Sequence, residues 1–345
     1  MIDNYTRYNL ENRRYLGNKT KLMQWIAELI EKNTDGTSFF DVFAGTGAVS
    51  KFLLPNYQKI ILNDFLYSNN AIYQGFFSNE SYSEEKIKEY AAKFQAIKKT
   101  TLDDGYFAEN YGDRFFSRED SKIIGEIREV LEWSTDLNEK EFSILLASLI
   151  YSVDKIANTV GHYDAYRKKV EIQNKFKFEL INPLDTREKE IIIFQKDANE
   201  LAKQVKADVA FIDPPYNSRQ YSRFYHVLEQ LVKWNKPELF GVAMKPKEEN
   251  MSEYSRVAAP RAFDDLVKKL QVNYIVVTYN NTYTSKSSSS KNKITHDEIE
   301  NSLNEVGKTK SFELPYKCFN AGKTELNDHR EFVFITEVEK NAGGK

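Results

Sequence analysis

Between residues 19 and 33, apolar side chains return at Leu22, Ile26, Leu29 and Ile30, the spacing that gathers them on one helix face. The pattern then changes to a short apolar run, "SFFDVF" (38–43), which ends in the glycine turn "AGTG". Val49, Phe52 and Leu53 continue it as a helix, so this region reads strand, glycine loop, helix. A second strand, "KIILND" (59–64), ends in an acid. Residues 70–180 read as long amphipathic helices rich in Lys and Glu, interrupted by "LDDGYFAENYGDRFFS" at 102–117. After Pro183 the alternation resumes, with strands at 191–194, 207–212 and 273–280 and helices at 198–205 and 224–234. Residues 245–261, charged and holding two prolines, read as a mobile surface loop, and "SKSSSSKNK" (285–293) is too polar to pack. Thr295 stands three residues before Glu298, a capping-box helix start. Strands around 310–317 and 331–336 close the pattern.

Strands alternating with helices predict an α/β fold with a doubly wound, mostly parallel sheet. The helical block divides it: residues 1–69 and 184–345 form one domain, and 70–183 is an insertion after the second strand. Sheets of this kind bind ligands at the carboxyl ends of strands, near the point where strand order reverses. Each candidate motif below falls at such an end.

Charge and cysteine content narrow the picture. Lys and Arg number 49 against 51 Asp and Glu, a net charge of −2, so any nucleic-acid contact needs a local basic patch. Residues 155–177 supply one: Lys155, Arg167, Lys168, Lys169, Lys175 and Lys177 face only Asp164 and Glu171, with His162, Tyr163 and Tyr166 interleaved. That mixture suits phosphate and base contacts, and equally a solvated helix face. The single Cys318 excludes a disulfide framework and fits a reducing, cytoplasmic setting. The apolar stretch at 142–153 is too short to span a bilayer, so no membrane role is expected. The four His are scattered, without Cys partners, so no metal site is expected and a zinc deaminase is excluded.

The most informative stretch is "FIDPPYNSRQY" (211–221). Pro214 and Pro215 have fixed φ, donate no N–H and push the preceding residue toward an extended conformation, so Asp213 and Tyr216 sit on a stiff bend at a strand's end. An exocyclic amine on a nucleobase is a poor nucleophile because its lone pair is delocalised into the ring. Two acceptors on its hydrogens, the Asp213 carboxylate and the Pro214 carbonyl, would free that lone pair, and Tyr216 would stack on the base. The matching electrophile is the sulfonium methyl of S-adenosylmethionine. Asp64 and Asp197 at other strand ends then describe a pocket for a nucleoside-bearing cofactor, although each also suits a helix N-cap. The glycine loop lacks the spacing of a dinucleotide fingerprint.

"DPPY" (213–216) with "DVFAGTG" (41–47) resembles the amino-methyltransferases. "RRYLGNKTKL" (13–22), placed ahead of the glycine loop, resembles the first motif of the alpha group of Dam-like adenine-specific DNA methyltransferases of restriction-modification systems. "NSRQYSRFYHVLEQL" (217–231), "YNNTYT" (279–284) and "HREFVFI" (329–335) resemble later segments of those enzymes. The resemblance implies a Rossmann-like methyltransferase sheet with 70–183 as target-recognition region, S-adenosylmethionine as cofactor, and double-stranded DNA as partner, with any cognate endonuclease acting separately. It implies that Tyr15 and Lys19 border the cofactor's methionine end, that Asp41, Phe43, Gly45 and Gly47 line it, and that Asp64 binds its ribose and Asp197 its adenine. Asp213, Pro214, Pro215 and Tyr216 would be catalytic, with Asp213 also beside the cofactor and Tyr225 and His226 lining the pocket behind. Arg167, Lys168, Lys169, Arg219, Gln220, Arg223 and Tyr225 would meet the DNA. Three rivals stay open: an RNA adenine methyltransferase, a cytosine-N4 enzyme (where Ser more often replaces Asp213), and a non-catalytic subunit, against which the intact tetrapeptide stands.

Overall fold

A computed structural model describes residues 7–13, 22–97, 102–216, 218–281, 292–315 and 330–339. Tyr15, Lys19 and most of the serine-rich stretch lie outside them. Strands β1 (Ser38–Asp41), β2 (Lys59–Asn63), β3 (Glu190–Phe194), β4 (Val209–Ile212), β5 (Tyr274–Asn280), β6 (Gly307–Pro315) and β7 (Arg330–Val338) form a 7-stranded sheet in the order β3-β2-β1-β4-β5-β7-β6. Neighbours from β3 to β5 pair in parallel, while β7 runs antiparallel between β5 and β6. Strand order reverses between β1 and β4, whose register sets Asp41 against Phe211.

Both faces of the sheet are covered, which is why the central strands read as unbroken apolar runs. Phe39, Ile60, Leu62, Phe211 and Val276 pack with α1 (Met23–Asn33), α2 (Ala48–Leu53), α3 (Tyr67–Phe76), α7 (Glu139–Ile156) and α10 (His226–Lys233). Phe40, Ile61, Ala210, Ile212, Ile275 and Val277 pack with α8 (Ala198–Leu201), α11 (Ala259–Lys269) and α12 (His296–Asn304). Between β2 and β3, α3 is followed by α4 (Glu84–Ala96), α5 (Tyr106–Tyr111), α6 (Arg118–Glu132) and α7, the expected helical block. Two buried side chains brace α3: both oxygens of Glu229 accept the Tyr67 and Ser68 N–H groups at 3.0 and 2.9 Å, and the Lys140 ammonium donates to the carbonyls of Gln74, Gly75 and Ser78 at its far end.

Three expectations fail. The long helices read over residues 70–180 end at Ile156, and residues 157–180 carry no helix. The helix read at 224–234 is two pieces, α9 (Tyr221–Phe224) and α10, broken at Tyr225. Residues 245–261 are not loop throughout. They carry a 3-10 turn at Glu253–Ser255 and the start of α11, with Pro260 in its first turn, where a missing N–H costs nothing.

Candidate active site

At the ends of β1 and β2, Asn63 fixes the frame. Its amide donates to the Val42 and Lys196 carbonyls at 3.1 Å each and its oxygen accepts the Lys196 N–H at 3.0 Å, tying together the ends of β1, β2 and β3. The glycine loop between β1 and α2 then turns through left-handed backbone at Gly45 (φ 53°) and Gly47 (φ 75°), a region that favours glycine. The Gly45 N–H donates to Asp64 Oδ2 at 3.0 Å, and Leu66 N–H donates to Asp64 Oδ1 at 2.8 Å. Asp64 thus holds the turn ahead of α3, whose N-cap is Leu66 rather than the acid itself, and it also clamps the glycine loop. Burial raises its pKa, against the pull of these N–H groups, Asn69 and Arg13.

Asp41 ends β1 at 1% exposure. The Ser50 hydroxyl donates to its Oδ2 at 2.7 Å, whereas buried Oδ1 has no hydrogen-bond partner among the described residues. Burial, with Asp213 and Asp64 adding repulsion and Ser50 opposing, pushes its pKa up to about 7. Phe43 stands edge-on to Tyr254, with ring centroids 4.9 Å apart. Asp197 caps α8, its Oδ1 accepting the Asn199 and Glu200 N–H groups at 2.9 and 3.2 Å.

Asp213 follows β4 directly. Its Oδ1 accepts the Thr278 hydroxyl of β5 at 2.8 Å and also the hydroxyl of Tyr216. Pro214 is buried, and Pro215 and Tyr216 are half-buried. The Tyr216 ring lies edge-on to Tyr279 at 4.6 Å, and its carbonyl accepts the Lys293 N–H at 2.8 Å. Burial first, and then the Asp213 charge, raises the Tyr216 phenol well above its ordinary pKa.

The stretch 243–256 forms a strap along the tail of this loop. Gln220 makes a two-bond pairing with Ser252, donating to its carbonyl at 3.0 Å and accepting its N–H at 2.8 Å. Arg223 donates to the Pro246 carbonyl at 2.7 Å, the Ser255 hydroxyl donates to the Arg219 carbonyl at 3.0 Å, and Asn250 donates to the Phe65 carbonyl at 2.8 Å. Gln220 and Arg223, expected at DNA, thus serve the protein's own backbone. Tyr225, expected there too, is fully buried with the Arg13 guanidinium over its ring. His226 is buried with its ring nitrogens 3.0 and 2.7 Å from the Arg223 and Ala243 carbonyls, and burial drives its pKa down to about 4 despite both acceptors. Arg167, Lys168 and Lys169 are exposed, and the Arg219 guanidinium lies 6.0 Å from the Phe224 ring centre.

Sequence reasoning missed Thr278, Asn63, Tyr254 and Arg13. Thr278 and Asn63 left one signal, a polar residue at or near the carboxyl end of an otherwise apolar strand. No cluster of three or more His, Cys, Asp or Glu able to hold a metal occurs among the described residues, and none of their helices is long and apolar enough to cross a membrane.

A family model described as D12 class N6 adenine-specific DNA methyltransferase matches residues 15–282. Modification methylase LlaI of Lactococcus lactis subsp. lactis is 34% identical over 289 residues, which cover 78% of this chain and 46% of that protein. Type II methyltransferase M.FokI of Planomicrobium okeanokoites is 31% identical over 349 residues, 94% of this chain and 52% of its own. The chain thus spans about half the length of these two relatives. Type II methyltransferase M.CviAII of Paramecium bursaria Chlorella virus 1 is 30% identical over 94% of this chain and 98% of its own.

Proposed function

The chain belongs to the D12 class N6 adenine-specific DNA methyltransferase family, and from that premise we propose that it transfers a methyl group from S-adenosylmethionine to the N6 amino group of adenine in double-stranded DNA. The reading rests on Asp213, a carboxylate at the carboxyl end of β4, beside the strand-order reversal, with its Oδ1 held by Thr278.

The donor set suits the cofactor. Three carboxylates, Asp41, Asp64 and Asp197, stand at strand ends, and the buried, unpartnered Oδ1 of Asp41 calls for a hydrogen-bond donor or a cation. Asp41, Phe43, Gly45 and Gly47 would line the cofactor, Asp64 would take the ribose hydroxyls and Asp197 the adenine amino group, with Tyr15 and Lys19 at the methionine end. Once bound, S-adenosylmethionine supplies a methyl group made electrophilic by a sulfonium.

The protein's part is positioning. Asp213 and the Pro214 carbonyl accept the two amino hydrogens, so the nitrogen lone pair points out of the ring plane. Transfer of the methyl group would put positive charge on the nitrogen, beside the Asp213 carboxylate, which would accept the proton it sheds. The arriving amine competes with the Tyr216 hydroxyl for Asp213, which frees that ring to stack on the base. The insertion 70–183 is assigned to target recognition, with Arg167, Lys168, Lys169 and Arg219 toward the duplex. The order of motifs supports an alpha-group arrangement, with any partner endonuclease a separate protein.

Expression in a host lacking adenine methylation, followed by sequencing of its DNA, is expected to give N6-methyladenine in one fixed sequence context. Purified Asp213→Ala should bind the cofactor and transfer nothing. Label from the cofactor entering ribosomal RNA alone, or normal turnover by that variant, overturns the reading.

A further inference from the structure

The site just described leaves a ring pair beside it unexplained. His162, in the turn after α7, lies flat on Phe224 at the end of α9, with ring centroids 4.5 Å apart and planes at 16°. Around this loop the Phe115–Tyr166 and Tyr216–Tyr279 rings meet edge-on at 72° and 62°, while Tyr221 and Tyr225 are also near parallel, at 30°. Both His162 and Phe224 are half-buried, and the pair is fixed from both chain segments: the Tyr163 N–H donates to the Phe224 carbonyl at 2.7 Å, and Asp164 is ion-paired with Lys245 of the strap. The tip of the same turn reaches open space, since Val160 is 57% exposed and a Cβ at Gly161 (φ 107°) would meet nothing within 4 Å. Cations accompany it: the Arg219 guanidinium lies 6.0 Å from the Phe224 ring centre, and exposed Arg167, Lys168 and Lys169 follow His162 by five to seven residues. Phe224 stands eight residues beyond Tyr216, on the helix that follows the catalytic loop. Burial lowers the imidazole pKa, which favours the neutral ring for stacking.

We propose that the His162–Phe224 pair is a stacking shelf for a DNA base whose face is uncovered when the target adenine leaves the helix, with Arg219, Arg167, Lys168 and Lys169 holding the adjacent phosphates. The inference rests on the DNA-methylation reading above. A base taken out of its stack exposes the faces of its neighbours to water, and a flat aromatic surface fixed to the catalytic loop replaces that lost stacking regardless of base identity.

The test uses a duplex carrying the methylated sequence found by DNA sequencing, with 2-aminopurine in place of the target adenine. His162→Ala is expected to bind this duplex roughly 5- to 150-fold more weakly, from the usual worth of one base–aromatic stack. It should also lose most of the 2-aminopurine fluorescence rise while keeping parental affinity for S-adenosylmethionine. His162→Phe, which keeps an aromatic face, should restore both readouts. Wild-type binding and fluorescence by His162→Ala, or failure of His162→Phe to restore them in a variant that still binds the cofactor, overturns the shelf alone. Absence of methyl transfer by the wild-type protein overturns the reading beneath it.

Discussion

The Asp41→Asn substitution separates stability from function. Asp41 is buried, accepts one hydroxyl from Ser50, and has an ionisation pushed up to about 7 from 3.8. A group whose pKa rises on folding stabilises the protein in its protonated form. That contribution is complete below 3.8 and is lost as pH climbs through about 7. At about 1.4 kcal/mol per pH unit, the raised pKa costs the folded protein about 4 kcal/mol at about pH 8, where the buried acid is ionised, and about 1.5 kcal/mol at about pH 5, where it must take up a proton. Asn preserves the shape and still accepts from Ser50 without carrying the charge. Asp41→Asn should therefore gain about 2.5 kcal/mol on the parent between these two pH values, roughly 3–4 °C in Tm for a chain of 345 residues. The assay is thermal unfolding of both proteins at each pH, paired with calorimetric titration of S-adenosylmethionine. The stabilised variant should bind the cofactor roughly ten-fold or more weakly, as expected when a charged hydrogen-bond acceptor is lost. An equal Tm gap at both pH values refutes the electrostatic argument, and parental cofactor affinity refutes the assignment of Oδ1.

His226 acts in the opposite sense. Its pKa is depressed to about 4 from 6.5, so its contribution is complete above 6.5 and is lost as pH falls through about 4. Between those values it offsets Asp41, and the difference between a His226→Gln variant and the parent across this range isolates it; a flat difference would show that burial does not disfavour the charged ring. Thr278→Val removes the hydroxyl that donates to Asp213 Oδ1 at 2.8 Å while preserving side-chain shape in β5. Loss of a hydrogen bond to a charged group predicts a kcat lower by roughly ten-fold or more with cofactor affinity unchanged, measured by steady-state methyl transfer.

What the sequence made legible followed period and punctuation. Unbroken apolar runs such as "VAFI" reported strands buried on both faces, and Thr295 with Glu298 marked a helix start that forms both capping bonds. The reversal of β7 left no trace, because strand direction is absent from an apolar pattern. The helix α11 was hidden by Pro260, read as a breaker although a proline in the first turn begins helices. At the site, residue type gave the acids but not their company. Gln220 and Arg223 were read as DNA contacts because both carry donors suited to bases. Their partners are carbonyls of Ser252 and Pro246, set beside them by a strap 32 and 23 residues further along. Thr278 went unnoticed because a threonine in an apolar strand resembles any β-branched residue.

The strap carries a consequence for engineering. Gln220 pairs with Ser252 through two hydrogen bonds, as one strand residue would pair with another, and Tyr254, two positions on, meets Phe43 beside the glycine loop. Displacement of the strap therefore reaches the loop after Asp213 and the glycine loop together. Lys247 and Glu248 are exposed on it. Insertions or libraries at those two positions would tune how the catalytic loop is held while every residue of "DPPY" and of the glycine loop stays as it is, making the strap a remote adjustment screw for turnover.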